Sequence, residues 1–246
     1  KEYRRQRQMC IRDRYKEIYM VDFTLPREYI DDMVVRMAHH STAIEGNTLT
    51  QGETKSILLD NMIPRKMDLR EFYEVSNYRD YLVFLLESYQ EVITIDIIKD
   101  TQRLLLAHIR DDNGQFKVVQ NMVIGADFEP TKPYQVQEAL KNWCDTLQYR
   151  LEISQNDEER VRAIMEQHLQ FERIHPFADG NGRTGRALIV HACLQQKLAP
   201  IIINKDDRGE YMTLLNDGDL NGLYKLGLDL FYKEKERMIL FGQNFG

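Results

Sequence analysis

The sequence predicts a mostly α-helical bundle with one short β-hairpin. Apolar residues recur at helical spacing through most of the chain, and helix-start signatures precede several of these runs. Only residues 118–130 lose that period. They hold β-branched residues around Gly125, followed by Pro130 and Pro133, and read as a hairpin.

Taken in order, Pro26 opens an amphipathic segment with Ile30, Met33, Val34 and Met37 on one face, to about Ala43. Thr50 with Glu53 is a capping-box pair for a helix to about Asn61, and Asp68 with Glu71 repeats the pattern before Leu69, Phe72, Tyr73, Leu82 and Leu85. Ile97, Ile98, Thr101, Leu104, Leu105 and Ile109 form the next stripe, closed by the turn cluster at 111–114. After the hairpin, Val136, Ala139, Leu140, Trp143 and Leu147 resume the helical period. Asn156 with Glu159 caps a helix through Ile174. Residues 183–196 are apolar nearly all round, the signature of a buried central helix. One or two helices follow from about Arg208.

The chain has 246 residues, with 43% hydrophobic and 29% charged, which excludes disordered and fibrous classes. No apolar run reaches the roughly 18 residues of a membrane span, and the charged start argues against a secretory leader. Cys10, Cys144 and Cys193 are scattered without metal or disulfide spacing, as expected of a reducing, cytoplasmic compartment. Residues 1–16 carry a net charge of +5 and the remainder −11. So acidic a body disfavours nucleic acid as a partner. Residues 1–16 are set apart as a basic leader, an inert tail or an artefact of gene assembly. Residues 17–110 form N-terminal helices, and 111–246 a core that makes one compact domain with them.

Chemistry concentrates in His175-Pro176-Phe177-Ala178-Asp179-Gly180-Asn181-Gly182-Arg183-Thr184-Gly185-Arg186. Pro176 ends the preceding helix. Gly180, Asn181 and Gly182 tolerate positive φ and can gather backbone N–H groups into one concavity, which the next helix N-terminus faces. Arg183 and Arg186 share a face of the first turn. Two cations there oppose the helix dipole unless an anion sits between them. The result is an anion cradle suited to a polyphosphate. Asp179 at its rim suggests Mg²⁺ and His175 a general base. The formal Gly180-x-Gly182-x-x-Gly185 dinucleotide fingerprint does not apply, because a helix rather than a strand precedes it. Glu172 with His175 makes a single ExxH, one short of a di-metal site. His108, His168 and His191 read as packing or surface residues.

At every specified position, residues 175–186 resemble the Fic-family motif H-x-F-x-[DE]-G-N-G-R-x-x-R, and the resemblance extends over about residues 20–235. It implies a Fic-type helical bundle with a β-hairpin flap, and transfer of AMP from ATP to a hydroxyl side chain of a target protein. It makes His175 the base and Asp179 the Mg²⁺ ligand. Gly180, Asn181 and Gly182 would cradle phosphates, with Thr184 and Gly185 in the same ATP-binding turn. Arg183 and Arg186 would neutralise the β- and γ-phosphates, and Phe177 would anchor the loop in the core. Tyr211 and Asn216 lie where the family often contacts adenosine. Val123, Ile124 and Gly125 resemble the flap that aligns a target segment. The phosphorylating Doc branch departs from the G-N-G-R core, which this sequence keeps.

Ser41-Thr42-Ala43-Ile44-Glu45-Gly46-Asn47 resembles the family's inhibitory [ST]-x-x-x-E-[GN] motif. It implies that Glu45 pairs with Arg186 and removes it from the γ-phosphate, since one guanidinium fork serves one anion at a time. The expected partners are ATP, Mg²⁺ and a protein target, with no membrane, and homo-oligomerisation is left open. Removal of AMP from a modified protein by the same residues, or a non-catalytic nucleotide-sensing role, are the alternatives.

Overall fold

A computed structural model describes residues 25–122 and 128–242. The basic leader, Cys10 and the flap residues Val123, Ile124 and Gly125 lie outside them.

Among the described residues the chain is helical: α1 (Arg27–Ile44), α2 (Gln51–Leu58), α3 (Leu69–Ser88), α4 (Ile95–Leu105), α5 (Val136–Ile153), α6 (Asp157–Ile174), α7 (Asn181–Gln195), α8 (Arg208–Asp217) and α9 (Leu220–Leu240). Local chemistry explains the boundaries. Thr50 and Glu53 close a full capping box on α2, and the Asn156 side chain accepts from the Glu159 N–H to start α6. Asp68 caps α3 by accepting from the Arg70 N–H, while Glu71, expected to complete that box, reaches instead to Thr48.

The α6–α7 hairpin sits at the centre. α6 packs on α5, α7 and α9, while α7 also meets α4 and α1. From Ala187 to Leu194 every residue of α7 is buried, which accounts for its unbroken apolar sequence. Trp143 fixes α5 to α6 by donating its indole N–H to the Gln167 carbonyl at 2.7 Å and meeting Phe171 edge-on. α1 and α9 are joined by a buried pair: Arg36 donates from Nη1 to Glu234 Oε2 at 2.8 Å and from Nη2 to Oε1 at 2.6 Å. Asp32 holds Arg237 beside it.

The expected hairpin is not confirmed among the described residues. Residues 118–122 and 128–130 carry no strand, and the pairing found nearby is one antiparallel bridge between Phe116 and Phe177. Gln120 Nε2 donates to the Pro130 carbonyl at 2.9 Å, and other groups here bond to the loop after α6. Lys117 N donates to the Pro176 carbonyl at 2.9 Å, and Asn121 Nδ2 to the Phe177 carbonyl at 2.9 Å. Cys144 and Cys193 are free, and burial pushes both thiols up to about 12, which leaves them as packing residues. No described helix is long and apolar enough to cross a membrane.

Candidate active site

The turn between α6 and α7 is built by its own side chains. α6 ends at His175, which takes the left-handed conformation (φ 49°, ψ 61°) ahead of Pro176. Asn181 then braces the loop from both sides: its Oδ1 accepts from the Phe177 N–H at 2.9 Å and its Nδ2 donates to the Phe177 carbonyl at 2.8 Å. Phe177 itself is fully buried, with its ring tilted on Phe116. Gly180 (φ +80°) forms the N-terminal boundary of α7, and any side chain there would run into Leu106. α7 therefore begins at Asn181, two residues before the predicted start.

His175 is half-buried. Its Nδ1 lies 3.3 Å from the Glu172 carbonyl, an acceptor. Nδ1 therefore carries the proton and Nε2 the lone pair. Burial lowers the imidazole pKa to about 4, and the nearby Lys117 ammonium adds to that effect, so the ring is neutral at pH 7. Lys117 is buried; its Nζ donates to Asn121 Oδ1 at 2.8 Å and the Ile174 carbonyl at 3.4 Å. Burial lowers its pKa to about 8.

Arg186 is buried and held by the end of α1. Its Nη2 donates to Glu45 Oε1 at 2.6 Å and to the Ser41 carbonyl at 2.9 Å, and its Nε to Ser41 Oγ at 3.0 Å. Burial alone would raise the Glu45 carboxyl pKa, but the Arg186 guanidinium outweighs it and keeps the pKa below the ordinary value. Glu45 also lies over the cradle: a Cβ on Gly182 would come within 2.6 Å of Glu45 Oε1.

Arg183 is placed differently from the expectation. Only 3% of its side chain is exposed, and its guanidinium spans two carboxylates, Nη1 to Glu74 Oε1 and Nη2 to Asp179 Oδ1, each at 3.1 Å. Glu74 also accepts from Arg70 Nε and from Asn47 Nδ2. Arg70 Nη2 donates to Asp179 Oδ2 at 3.1 Å, and the Gly180 N–H to Oδ1 at 2.6 Å. In this arrangement Arg183 orients Asp179.

Other expected nucleotide contacts also face inward. Thr184 is fully buried, and Gly185 packs against His168, Phe171 and Glu172 of α6. Tyr211 has no exposed surface; it stacks on His168, with its hydroxyl 2.7 Å from His168 Nε2. Asn216, on α8, is partly exposed. The open side of the turn is made by His175, Asp179 and Gly182, with Glu45 above Gly182 and Arg186 buried behind it.

Lys117, Arg70 and Glu74 were not read from the sequence as site residues. Arg70 and Glu74 look like an ordinary i, i+4 surface pair, and nothing local marks partners 109 residues away. Asp179 offers carboxylate oxygens, and no group of three or more His, Cys, Asp or Glu side chains among the described residues could hold a metal. A cation at Asp179 would draw its other ligands from phosphate and water, the habit of Mg²⁺.

A helical fold whose α6–α7 turn brings His175, Asp179 and Gly182 together beside two inward-held arginines defines a recognisable class of domain. The chain belongs to the Fic/DOC family, whose model matches residues 92–193. It is 32% identical over 190 residues to the protein adenylyltransferase fic-1 of Caenorhabditis elegans, covering 75% of this chain and 36% of that protein. It is 30% identical over 187 residues to the protein adenylyltransferase Fic of Nematostella vectensis, covering 74% and 42%. The matched regions thus span about two fifths of those relatives. Among solved structures, a Fic domain containing signalling protein from Bacteroides thetaiotaomicron superposes with a TM-score of 0.76 at 21% identity, over 96% of this chain and 99% of that one. A fragment of C. elegans Fic-1 superposes at 0.72 and 26% identity, over 96% and 71%.

Proposed function

We propose that this chain is a protein adenylyltransferase module held inactive by Glu45. The observation that carries the reading is the placement of a neutral His175 at the cradle whose Arg186 is occupied by Glu45 at 2.6 Å. The curated relatives named above are called protein adenylyltransferases, which supports the same reaction class.

In the proposed reaction the target hydroxyl oxygen attacks the α-phosphorus of ATP, and the bond to the bridging oxygen of the β-phosphate breaks. Pyrophosphate leaves, and the hydroxyl proton passes to His175 Nε2. The free N–H groups at the start of α7 hold phosphate oxygens. Asp179 would hold Mg²⁺, which when bound supplies neutralisation of phosphate charge. Arg186, once released by Glu45, takes the γ-phosphate. Catalysis of this kind is positioning and charge neutralisation rather than covalent chemistry by the protein.

The test is intact-mass analysis of the wild type and Glu45→Gly after incubation with Mg²⁺ and ATP, with and without a mixture of candidate target proteins. An added AMP mass on the variant or on a target supports the reading; transfer of phosphate instead would sink it. A second reading rests on the 38% exposure of the Glu45 side chain beside the cradle. A carboxylate with a wet face can orient water, and the same site would then remove AMP from a modified protein. Loss of AMP from an adenylylated protein, abolished in Glu45→Gly, would favour it.

A further inference from the structure

Four charged groups balance at the mouth of the cradle: Arg70 and Arg183 against Glu74 and Asp179. The two oxygens of Asp179 differ. Oδ1 is held from inside the fold, by the Gly180 N–H and by the buried Arg183. Oδ2 accepts from Arg70 Nη2, whose side chain is 57% exposed. Arg183, with 3% of its side chain exposed, is enclosed by the fold, whereas Arg70, 57% exposed, can turn its Nη2 toward water while its Nε stays on Glu74. A dication arriving at Asp179 overfills the balanced cluster with positive charge, and the exposed guanidinium is the one able to leave.

We propose that Arg70 is a displaceable counter-ion that occupies Asp179 Oδ2 until a divalent cation with its nucleotide takes that oxygen. Loading of the site is then an exchange of one cation for another, and Arg70 sets the threshold for it. Glu74 keeps the displaced Arg70 tethered through Nε, ready to return when the cation departs. The inference rests on the reading of Asp179 as the cation ligand. It extends that reading by assigning Arg70 as a residue that acts through Asp179 rather than on substrate.

The experiment is a Mn²⁺ titration followed by electron paramagnetic resonance, with a saturating non-hydrolysable ATP analogue and no transfer reaction. Arg70→Gln should bind Mn²⁺ about fivefold more tightly than wild type, the size expected on losing one half-exposed ion-pair competitor, and the difference should shrink at high salt. Arg70→Lys, which keeps the charge, should stay within about twofold of wild type on the same argument. Unchanged or weaker Mn²⁺ affinity in Arg70→Gln overturns the proposal, as does an Arg70→Lys variant as tight as Arg70→Gln. Asp179→Asn separates the two layers. If it binds Mn²⁺ as well as wild type, the cation is not at Asp179 and the underlying reading fails; if it alone loses Mn²⁺ while Arg70→Gln is unchanged, only the Arg70 proposal falls.

Discussion

Glu45 and Arg186, 141 residues apart, meet at 2.6 Å with the guanidinium buried and the carboxylate partly wet. An anion in that position competes directly with a phosphate for the same fork. Glu45→Gly should therefore raise adenylylation, by about 10²-fold if the inhibitor displaces the α-phosphate by about 1 Å. Arg186→Ala should be inactive in both backgrounds. Labelling with radioactive ATP reads both, and a Glu45→Gly protein no more active than wild type would remove the inhibitory role.

His175→Ala should cut transfer by about 10²–10⁴-fold while leaving nucleotide affinity nearly unchanged, because the ring acts on the incoming hydroxyl. The pH profile of kcat/KM gives a finer test. With its pKa lowered to about 4, His175 stays a base down to that pH, so the acid limb should lie near 4 rather than 6.5. Lys117→Met removes a neighbouring charge that holds the imidazole down, and the limb should move upward.

Asp179→Ala should abolish cation-dependent transfer, and EDTA should reproduce the loss in the wild-type protein. Activity that survives both treatments would reduce Asp179 to a brace for Arg183 and the Gly180 N–H.

The fold should lose stability steeply in acid. Burial lowers the imidazole pKa of His168 to about 3 and those of His40, His175 and His191 to about 4. Between about 6.5 and those values the unfolded chain binds more protons than the folded one, so stability falls as pH falls through that window. Glu172 opposes this. Burial raises its pKa to about 7, so its contribution is present in acid and is lost as pH rises through 7. Four histidines against one carboxyl leave a net positive slope. Thermal unfolding at pH 7, 5.5 and 4 checks the sign, and a flat profile would contradict the burial of these rings.

Glu234→Ala should destabilise the protein by about 1–3 kcal/mol, because it leaves the buried Arg36 Nη groups and the Tyr29 hydroxyl without their acceptor while Asp32 still holds Arg36 Nε. Denaturant titration measures it. A loss below about 1 kcal/mol would place the pair among surface ion pairs instead.

The helices were legible because their signals are local. A capping box such as Thr50 with Glu53 and a stripe such as Ile30, Met33, Val34 and Met37 each lie within a few turns of chain. The start of α7 was misjudged because the Asn181 side chain turns inward to Phe177, so that the helix opens two residues early. The hairpin at 118–130 was inferred from composition. β-Branched residues favour a strand, but among the described residues the Lys117 N–H and the Asn121 side chain bond to the loop at His175, which composition does not reveal. In the site, the motif placed His175, Asp179 and Arg186 on one turn. It could not place Arg183 against Glu74, since Glu74 looks fully satisfied by Arg70 one helical turn away. Nor does spacing reveal that Tyr211 stacks on His168 inside the core.

The clasp between α1 and α9 carries a mechanical meaning. Glu45 hangs from the last turn of α1, and Arg36, about two and a half turns earlier on the same helix, is bolted to Glu234. A helix is stiff over that distance, so the reach of Glu45 into the cradle is calibrated by an element that lies outside the segment matched by the family model. Whatever pries α9 away, whether a protease cut or a competing surface, shifts the fulcrum of α1 and retunes the grip on Arg186 without touching a residue of the motif.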